Sequence, residues 1–488
     1  MLKLNSPEFP VLRLKALAAS TVLATALLGA CAAAPLPPGT WDVRAAPVVE
    51  VVRDGERWTA DYVFNRDAQV WAFMDSALMT DVRQPWRPTQ WTVETPGVVM
   101  ERRGHYDVIR SLDGGPVPRH VRFSIKPKAV YLEAEYGTLT FSDGAVALPI
   151  RQFDVFALSS VEAAEAMPAE LNGIDLEGGA STVTWRDTAG PVLFNGRRQA
   201  ELTTTGERSY VLLGQARVTQ GEGLTTVIDP NLPPWIGEEI RSFAPHVGDY
   251  YLRRLGAPGV GSETSTVMVS WNGPTERLSS MGGSVLPGLI VMNFEGVGVL
   301  NPTQQVLERS RWFIGHESAH FWLGQAVRYE FARDAWITEG GADLMAVRAL
   351  KVLDPAYDDR AELQTEVNDC IDLSRKPLAE AGDRGEHRAY YACGAVFAMA
   401  AEGAQKRGDG GDWFDFLRPV LAANRDDGVL SRAEWLEALT RASGDPSLAE
   451  SIERMLDQGA ADPAAEIASL FRRTGVPHRV ENGKVVLV

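Results

Sequence analysis

The sequence predicts a multidomain α+β protein, and three observations predict it. Residues 41–220 alternate apolar and polar side chains with period two between turn signals, the mark of half-buried strands. From residue 221 strand-like runs mix with helical periodicity, and from about 405 the pattern is helical. At 488 residues, 45% hydrophobic and 23% charged, the chain exceeds one average domain and has the composition of a folded core. The expected organisation is therefore an all-β sandwich or saddle domain over 41–220, a mixed domain over 221–404 and a small helical region over 405–488.

The first forty residues stand apart from the fold. Lys3, Arg13 and Lys15 give a positive start, and Ala16 to Ala30 is an uncharged run too short to span a bilayer. Residues 1–30 thus read as an export signal. The run ends Leu28-Gly29-Ala30-Cys31, which resembles a bacterial lipobox with Cys31 as the lipidated residue; ordinary cleavage after Ala32-Ala33-Ala34 is the competing reading. Residues 31–40, rich in Ala and Pro, would tether lipid to fold. Ala32 after the cysteine goes with an outer-membrane lipoprotein facing the periplasm. No later apolar run approaches membrane length, so the lipid would be the only anchor. The chain carries a formal charge of −16, and residues 1–30 contribute +2, leaving the remainder near −18. Such an acidic chain argues against a nucleic-acid partner.

The β domain is read from runs such as Trp58 to Phe64 and Val121 to Ile125, with Asp113-Gly114-Gly115 and Asn172-Gly173 as turns. Its histidines, His105 and His120, are isolated and carry no constellation. Beyond it, Leu224 to Asp229, Val267 to Trp271 and Gly288 to Met292 read as strands, and Pro233-Pro234 opens a helix to about Leu255. Asn301-Pro302 is expected to start the next helix, Gly324 to end it, and a further helix to run to about Leu353. After 405, helices are expected over Trp413 to Ala423, from a Ser431–Glu434 capping box, over Ser447 to Leu456 and over Ala464 to Phe471. Asn424 to Gly428 is a turn, since Ala423 and Arg425 would occupy the first and third positions of a calcium loop.

The chemistry is concentrated in Arg311 to Ala342, which contains His316-Glu317-Ser318-Ala319-His320. Four-residue spacing on a helix sets both imidazoles on one face, where they can grip one metal ion. Glu317 can then reach a metal-bound water without being a ligand. Catalytic zinc takes three protein ligands and keeps one position open. Glu339, eighteen intervening residues beyond His320, supplies the third ligand from a second helix. One zinc ion is expected.

With Trp322 and Gly324 and the run Trp336-Ile337-Thr338-Glu339-Gly340, this stretch resembles the gluzincin aminopeptidases, the family of membrane alanyl aminopeptidase and leukotriene hydrolase. The resemblance implies a thermolysin-like zinc domain over 221–404 and metal-dependent hydrolysis of a peptide substrate. It also implies a tyrosine that stabilises the tetrahedral intermediate. Tyr391-Ala392-Cys393-Gly394-Ala395 matches that motif with Cys393 in place of its lysine, and Tyr390 is the neighbouring competitor. The family's Gly-x-Met-Glu-Asn strand, whose Glu holds the substrate α-amine, corresponds here to Gly282-Gly283-Ser284-Val285-Leu286. Val285 and Leu286 cannot pair with an ammonium. Either another acid, such as Glu295 or one from the β domain, serves, or no free amine is required. Gly341 replaces the usual Phe, which is expected to widen the pocket near the metal. A hydrolase of a non-peptide substrate and a non-catalytic scaffold are the alternatives. Cys370 and Cys393, the cysteines left after Cys31, are expected either to form a disulfide in an oxidising compartment or to be buried thiols.

Overall fold

A computed structural model describes residues 46–133, 135–221, 224–258, 265–276 and 280–488. The leader, Cys31, the tether and residues 41–45 lie outside the described residues. The described chain is mixed α+β.

The N-terminal part contains three sheets. The largest orders Leu202–Thr205, Thr182–Asp187, Val48–Asp54, Arg57–Val63, His120–Ile125 and Trp91–Val93. Its one parallel pairing joins Val48–Asp54 to Thr182–Asp187. A five-stranded sheet runs Glu177–Gly179, Val155–Leu158, Val70–Phe73, Tyr106–Ser111 and Val98–Arg103. Inward residues of both bury an aromatic core that includes Trp58, Tyr62, Trp71, Phe73, Phe123 and Trp185. Period-two alternation is legible in the six-stranded sheet, as in His120–Ile125 and Thr182–Asp187, because one face packs on that core; Val70–Phe73 and Val155–Leu158 of the other sheet are buried on both faces and do not alternate.

The third sheet orders Arg197–Gln199, Val192–Phe194, Tyr210–Leu213, Val146–Pro149 and Leu139–Thr140. It joins the two halves of the molecule. Leu139, Ala147, Leu193 and Leu212 share one apolar cluster with Val227, Met268, Leu286 and Val291 of the next sheet. Asp229 adds a polar clasp there, accepting from the Ser142 and Trp271 amides at 2.8 and 3.3 Å.

That next sheet orders Val218–Gly221, Leu224–Ile228, Ser265–Trp271, Leu289–Glu295 and Ser280–Leu286. Its three central strands are parallel, and helix Pro234–Leu255 crosses between the first two. Ser280–Leu286 pairs antiparallel with Leu289–Glu295 and forms the edge.

Four helices then carry the site: Gln304–Ala319, Trp336–Leu353, Asp359–Leu373 and Arg388–Gly408. The first begins later than expected. Thr303, not Asn301, is its N-cap, with its hydroxyl accepting from Val306 N at 3.4 Å. Its last helical residue is Ala319; Gly324, with φ of 143°, lies in the following turn. Trp336–Leu353 and Arg388–Gly408 cross with their backbones nearly touching. A Cβ on Gly340 would fall 2.2 Å from Ala395 N, and one on Gly394 would fall 2.2 Å from Trp336 O. Only glycine permits that approach. Gly341 serves packing rather than the pocket, which corrects the expectation: a Cβ there would meet Leu323 Cδ1 at 2.7 Å and Trp413 Cζ2 at 3.4 Å.

The chain ends in helices Trp413–Ala423, Arg432–Ser443, Pro446–Asp457 and Pro463–Thr474 and a hairpin of His478–Glu481 with Lys484–Leu487. Residue 404 lies inside helix Arg388–Gly408, and the C-terminal helices share one hydrophobic core with the four site helices. No helix among the described residues is long and apolar enough to cross a membrane.

Candidate metal centre

Gln304–Ala319 turns its last two turns toward the interior, so His316 and His320 are fully or nearly fully buried. Their Nε2 atoms lie 2.9 Å apart and face Glu339 Oε2 at 3.5 and 3.6 Å. Zinc bonds of about 2.0–2.1 Å in a tetrahedron set neighbouring ligand atoms about 3.3 Å apart, close to this triangle. Each imidazole is held by its other nitrogen. His316 Nδ1 bonds Asp343 Oδ1 at 2.6 Å, and His320 Nδ1 bonds Leu323 O at 2.7 Å. Both contacts present Nε2 to the shared point, as metal-ligating histidines require.

Charge balance supports a cation at that point. Glu317, Glu339 and Asp343 are each no more than 2% exposed. Both oxygens of Glu317 and of Glu339, and Asp343 Oδ2, are buried without a hydrogen-bond partner. Three carboxylates buried around two imidazoles are expensive, and a dication held by His316, His320 and Glu339 would offset that cost. The donor set, two imidazoles and one carboxylate, is one that zinc takes. In the metal-free protein the same field acts on protons. Burial favours a neutral His316, but Asp343 and Glu339 override it and lift its pKa to about 10. Burial pushes Glu317 up to about 7 against the pull of both histidines. Burial would also raise Glu339, yet His320 and His316 hold it well below the usual carboxylate range.

Tyr391 lies one helix over, its ring stacked on His316 with centroids 5.9 Å apart. Burial, then the charge of Glu339, pushes its phenol well above the ordinary value. Tyr390 points elsewhere: its hydroxyl accepts from Gly382 N at 3.0 Å. Cys393, two residues beyond Tyr391, is joined to Cys370 by a disulfide that pins Arg388–Gly408 to Asp359–Leu373.

The edge strand passes directly over the base. A Cβ on Gly283 would sit 2.5 Å from Glu317 Cδ. Gly282, Gly283 and Ser284 line a small recess whose far wall is Ala129, Val130 and Tyr131 of the N-terminal part. Val285 and Leu286 are packed into the interior at 6% and 1% exposure, and Gln325 Nε2 donates to Val285 O at 2.6 Å. Glu295 pairs in register with Ser280, three residues along the strand from Gly283, and accepts from the Thr275 hydroxyl at 2.7 Å.

No protein-family model matches the chain, and no curated protein matches it significantly.

Sequence reasoning missed Asp343. Its signal was present: Glu339 and Asp343 are four apart on one helix, so they share a face. It also missed the network behind it, where Arg388 bonds Glu366 at 2.7 Å and Asp369 at 2.8 Å and lies 4.0 Å from Asp343.

Proposed function

We propose that this protein is a zinc-dependent hydrolase of peptide bonds, built like the gluzincin peptidases around a thermolysin-like domain. The observation that carries the reading is the convergence of His316, His320 and Glu339 on one point, with the unpaired carboxylate of Glu317 beside it. His316, His320 and Glu339 would hold one zinc ion. Bound there, zinc polarises a carbonyl and acidifies a water. Glu317, with a pKa near 7 from burial, takes the proton of the attacking water and passes it to the leaving amine. Tyr391 remains protonated at every physiological pH and donates to the carbonyl oxygen as charge develops on it. The strand Ser280–Leu286 lies at the edge of its sheet, where an extended peptide would add through main-chain hydrogen bonds. Because Val285 and Leu286 are apolar and packed, that strand supplies no grip on a free α-amine. Cleavage therefore does not depend on an amine held there. The leader and Cys31 support export and attachment by lipid to the outer membrane.

The test uses the soluble chain from Ala32 with matched peptides, N-terminally free and N-acetylated, with and without a zinc chelator. Chelator-sensitive cleavage of both is expected. Cleavage of the free peptides alone would mean that another acid anchors the amine. Cleavage of neither, with zinc bound, would overturn the peptidase reading. Glu317→Gln should abolish turnover and leave zinc bound.

A further inference from the structure

Behind the metal centre, charged side chains from three helices meet. Asp343 on Trp336–Leu353 gives Oδ1 to His316 Nδ1 at 2.6 Å, and its Oδ2 is buried without a hydrogen-bond partner. Glu366 and Asp369 come from one face of Asp359–Leu373. Arg388, the first residue of Arg388–Gly408, faces all three acids. Its Nη2 donates to Glu366 Oε1 at 2.7 Å, its Nε donates to Asp369 Oδ2 at 2.8 Å, and its Nη1 lies 4.0 Å from Asp343 Oδ2. Asp343 and Glu366 are only 1% and 2% exposed. Burial, and then the charge of Asp343, push the Glu366 carboxyl above its ordinary range, so these two acids repel each other between their helices. Burial works against a charge on Arg388, yet Glu366, Asp343 and Asp369 override it and raise its pKa. Nothing local favours an arginine at this position. It stands in the first turn of a helix, where the macrodipole disfavours a cation, and that turn has neither an acid nor a side-chain cap. Acids on two other helices hold it there. Tyr391 lies three residues further on, on the same face.

We propose that Arg388 is a positioning residue for the reaction, acting through Asp343 on His316 and through its own helix on Tyr391. Its Nη1 offsets the charge of Asp343, so Asp343 stays against the ring of His316 with Glu366 close behind. Its bonds to Glu366 and Asp369 fasten the first turn of Arg388–Gly408 to Asp359–Leu373. The Cys370–Cys393 disulfide joins the same two helices. Tyr391 thus stands between two ties to one neighbouring helix, the Arg388 fork before it and the disulfide after it. Without the guanidinium, Asp343 and Glu366 lose the cation they share. Asp343 then turns from His316, or the helices part. The inference rests on the zinc-hydrolase reading, and the experiment separates the two.

Zinc affinity would be measured by competition with a chromophoric chelator for the wild type, Arg388→Met, Arg388→Lys, Asp343→Ala and the double variant Asp343→Ala/Arg388→Met. The same proteins would be assayed for kcat and KM on a cleaved peptide at saturating zinc. Arg388→Met should weaken zinc binding by about 10-fold. It should also lower kcat by about 10-fold, with KM within a few-fold. Arg388→Lys, which keeps the charge but not the fork, should recover most of the zinc affinity and less of kcat. Because the effect on zinc passes through Asp343, adding Arg388→Met to Asp343→Ala should weaken zinc no further. Additive losses would mark a merely structural role and overturn the proposal. Wild-type zinc affinity and kcat in Arg388→Met would overturn it too, with the hydrolase reading intact. If Arg388→Met alone does not fold, Glu366→Gln is added to remove the repulsion. That double variant should still have lowered kcat, because the tie between the helices is gone, and wild-type kcat there would overturn the proposal. A wild type that binds zinc and cleaves nothing would overturn the hydrolase reading, with the Asp343 cycle still deciding the hold of Arg388 on His316. A wild type that binds no zinc would overturn both.

Discussion

Gly283→Ala tests the geometry of the base most sharply. The backbone at Gly283 is not in the left-handed region, so alanine is sterically allowed by its own dihedrals. The three nearest atoms all belong to Glu317: the new methyl would lie 2.5 Å from Cδ, 2.7 Å from Oε1 and 2.9 Å from Cγ. Carbon atoms in contact prefer about 3.5–4.0 Å, so the carboxylate must retreat by about 1 Å. Its side chain is flexible, and the displaced rotamer costs about 0.5–1.5 kcal/mol. That cost is offset by the roughly 0.5–1 kcal/mol gained when alanine replaces glycine in a strand. Stability should therefore change by less than about 1 kcal/mol. A misplacement of about 1 Å at a reacting group lowers turnover by about 10²-fold. The assay is kcat for chelator-sensitive peptide cleavage, with zinc stoichiometry and a thermal melt on the same samples. Zinc should stay bound, since Glu317 is not a ligand. Gly248→Ala on helix Pro234–Leu255, where a Cβ meets nothing within 4 Å, is the control and should leave kcat unchanged. A Gly283→Ala enzyme with full zinc and kcat within about threefold of its parent would refute the placement of the base.

Three further outcomes are expected. Asp343→Ala should weaken zinc binding by about 10–100-fold, because it frees the ring of His316; competition with a chromophoric chelator measures this, and unchanged affinity would refute the orienting role. Replacing Cys370 and Cys393 by serine opens a loop with a sequence separation of 23 and should lower stability in urea by about 3 kcal/mol; an unchanged midpoint would count against it. Asp154 is fully buried in the N-terminal core, and burial raises its carboxyl from the ordinary 3.8 to about 8, against the pull of Arg151. The folded state thus binds this proton more tightly than the unfolded one. The stability so conferred is complete below about pH 4 and is lost as pH rises through about 8, by an amount on the order of a few kcal/mol. Asp154→Asn should flatten the fall in urea midpoint between pH 5 and pH 8.5, and an unaltered slope would dismiss the assignment.

The local features were legible in the sequence because their causes are local. His316 and His320 share a face by helical spacing alone, and helices Pro234–Leu255, Trp336–Leu353 and Trp413–Ala423 announce themselves through proline starts and apolar periodicity. The Ser431 capping box is written in four residues and is present as read. The strands of the six-stranded sheet show in the alternation that one buried face imposes. Other features depend on partners far along the chain. Asn301 gives a good cap on paper, yet the cap is Thr303, because tertiary packing sets where the helix enters. Gly341 looked like space beside the metal, and it proved to be room for Leu323 and for the ring of Trp413, seventy-two residues away. The edge strand's passage over Glu317 comes from pairing with Leu289–Glu295, and the meeting of Tyr391 with His316 comes from the Gly340–Gly394 crossing. Residue spacing alone thus determined which side chains could act as a metal set, since a helix relates neighbours by a constant turn. Only tertiary structure decided what stands behind and in front of that set, Asp343 and Gly283, because distances between separate elements are set by the packing of whole surfaces.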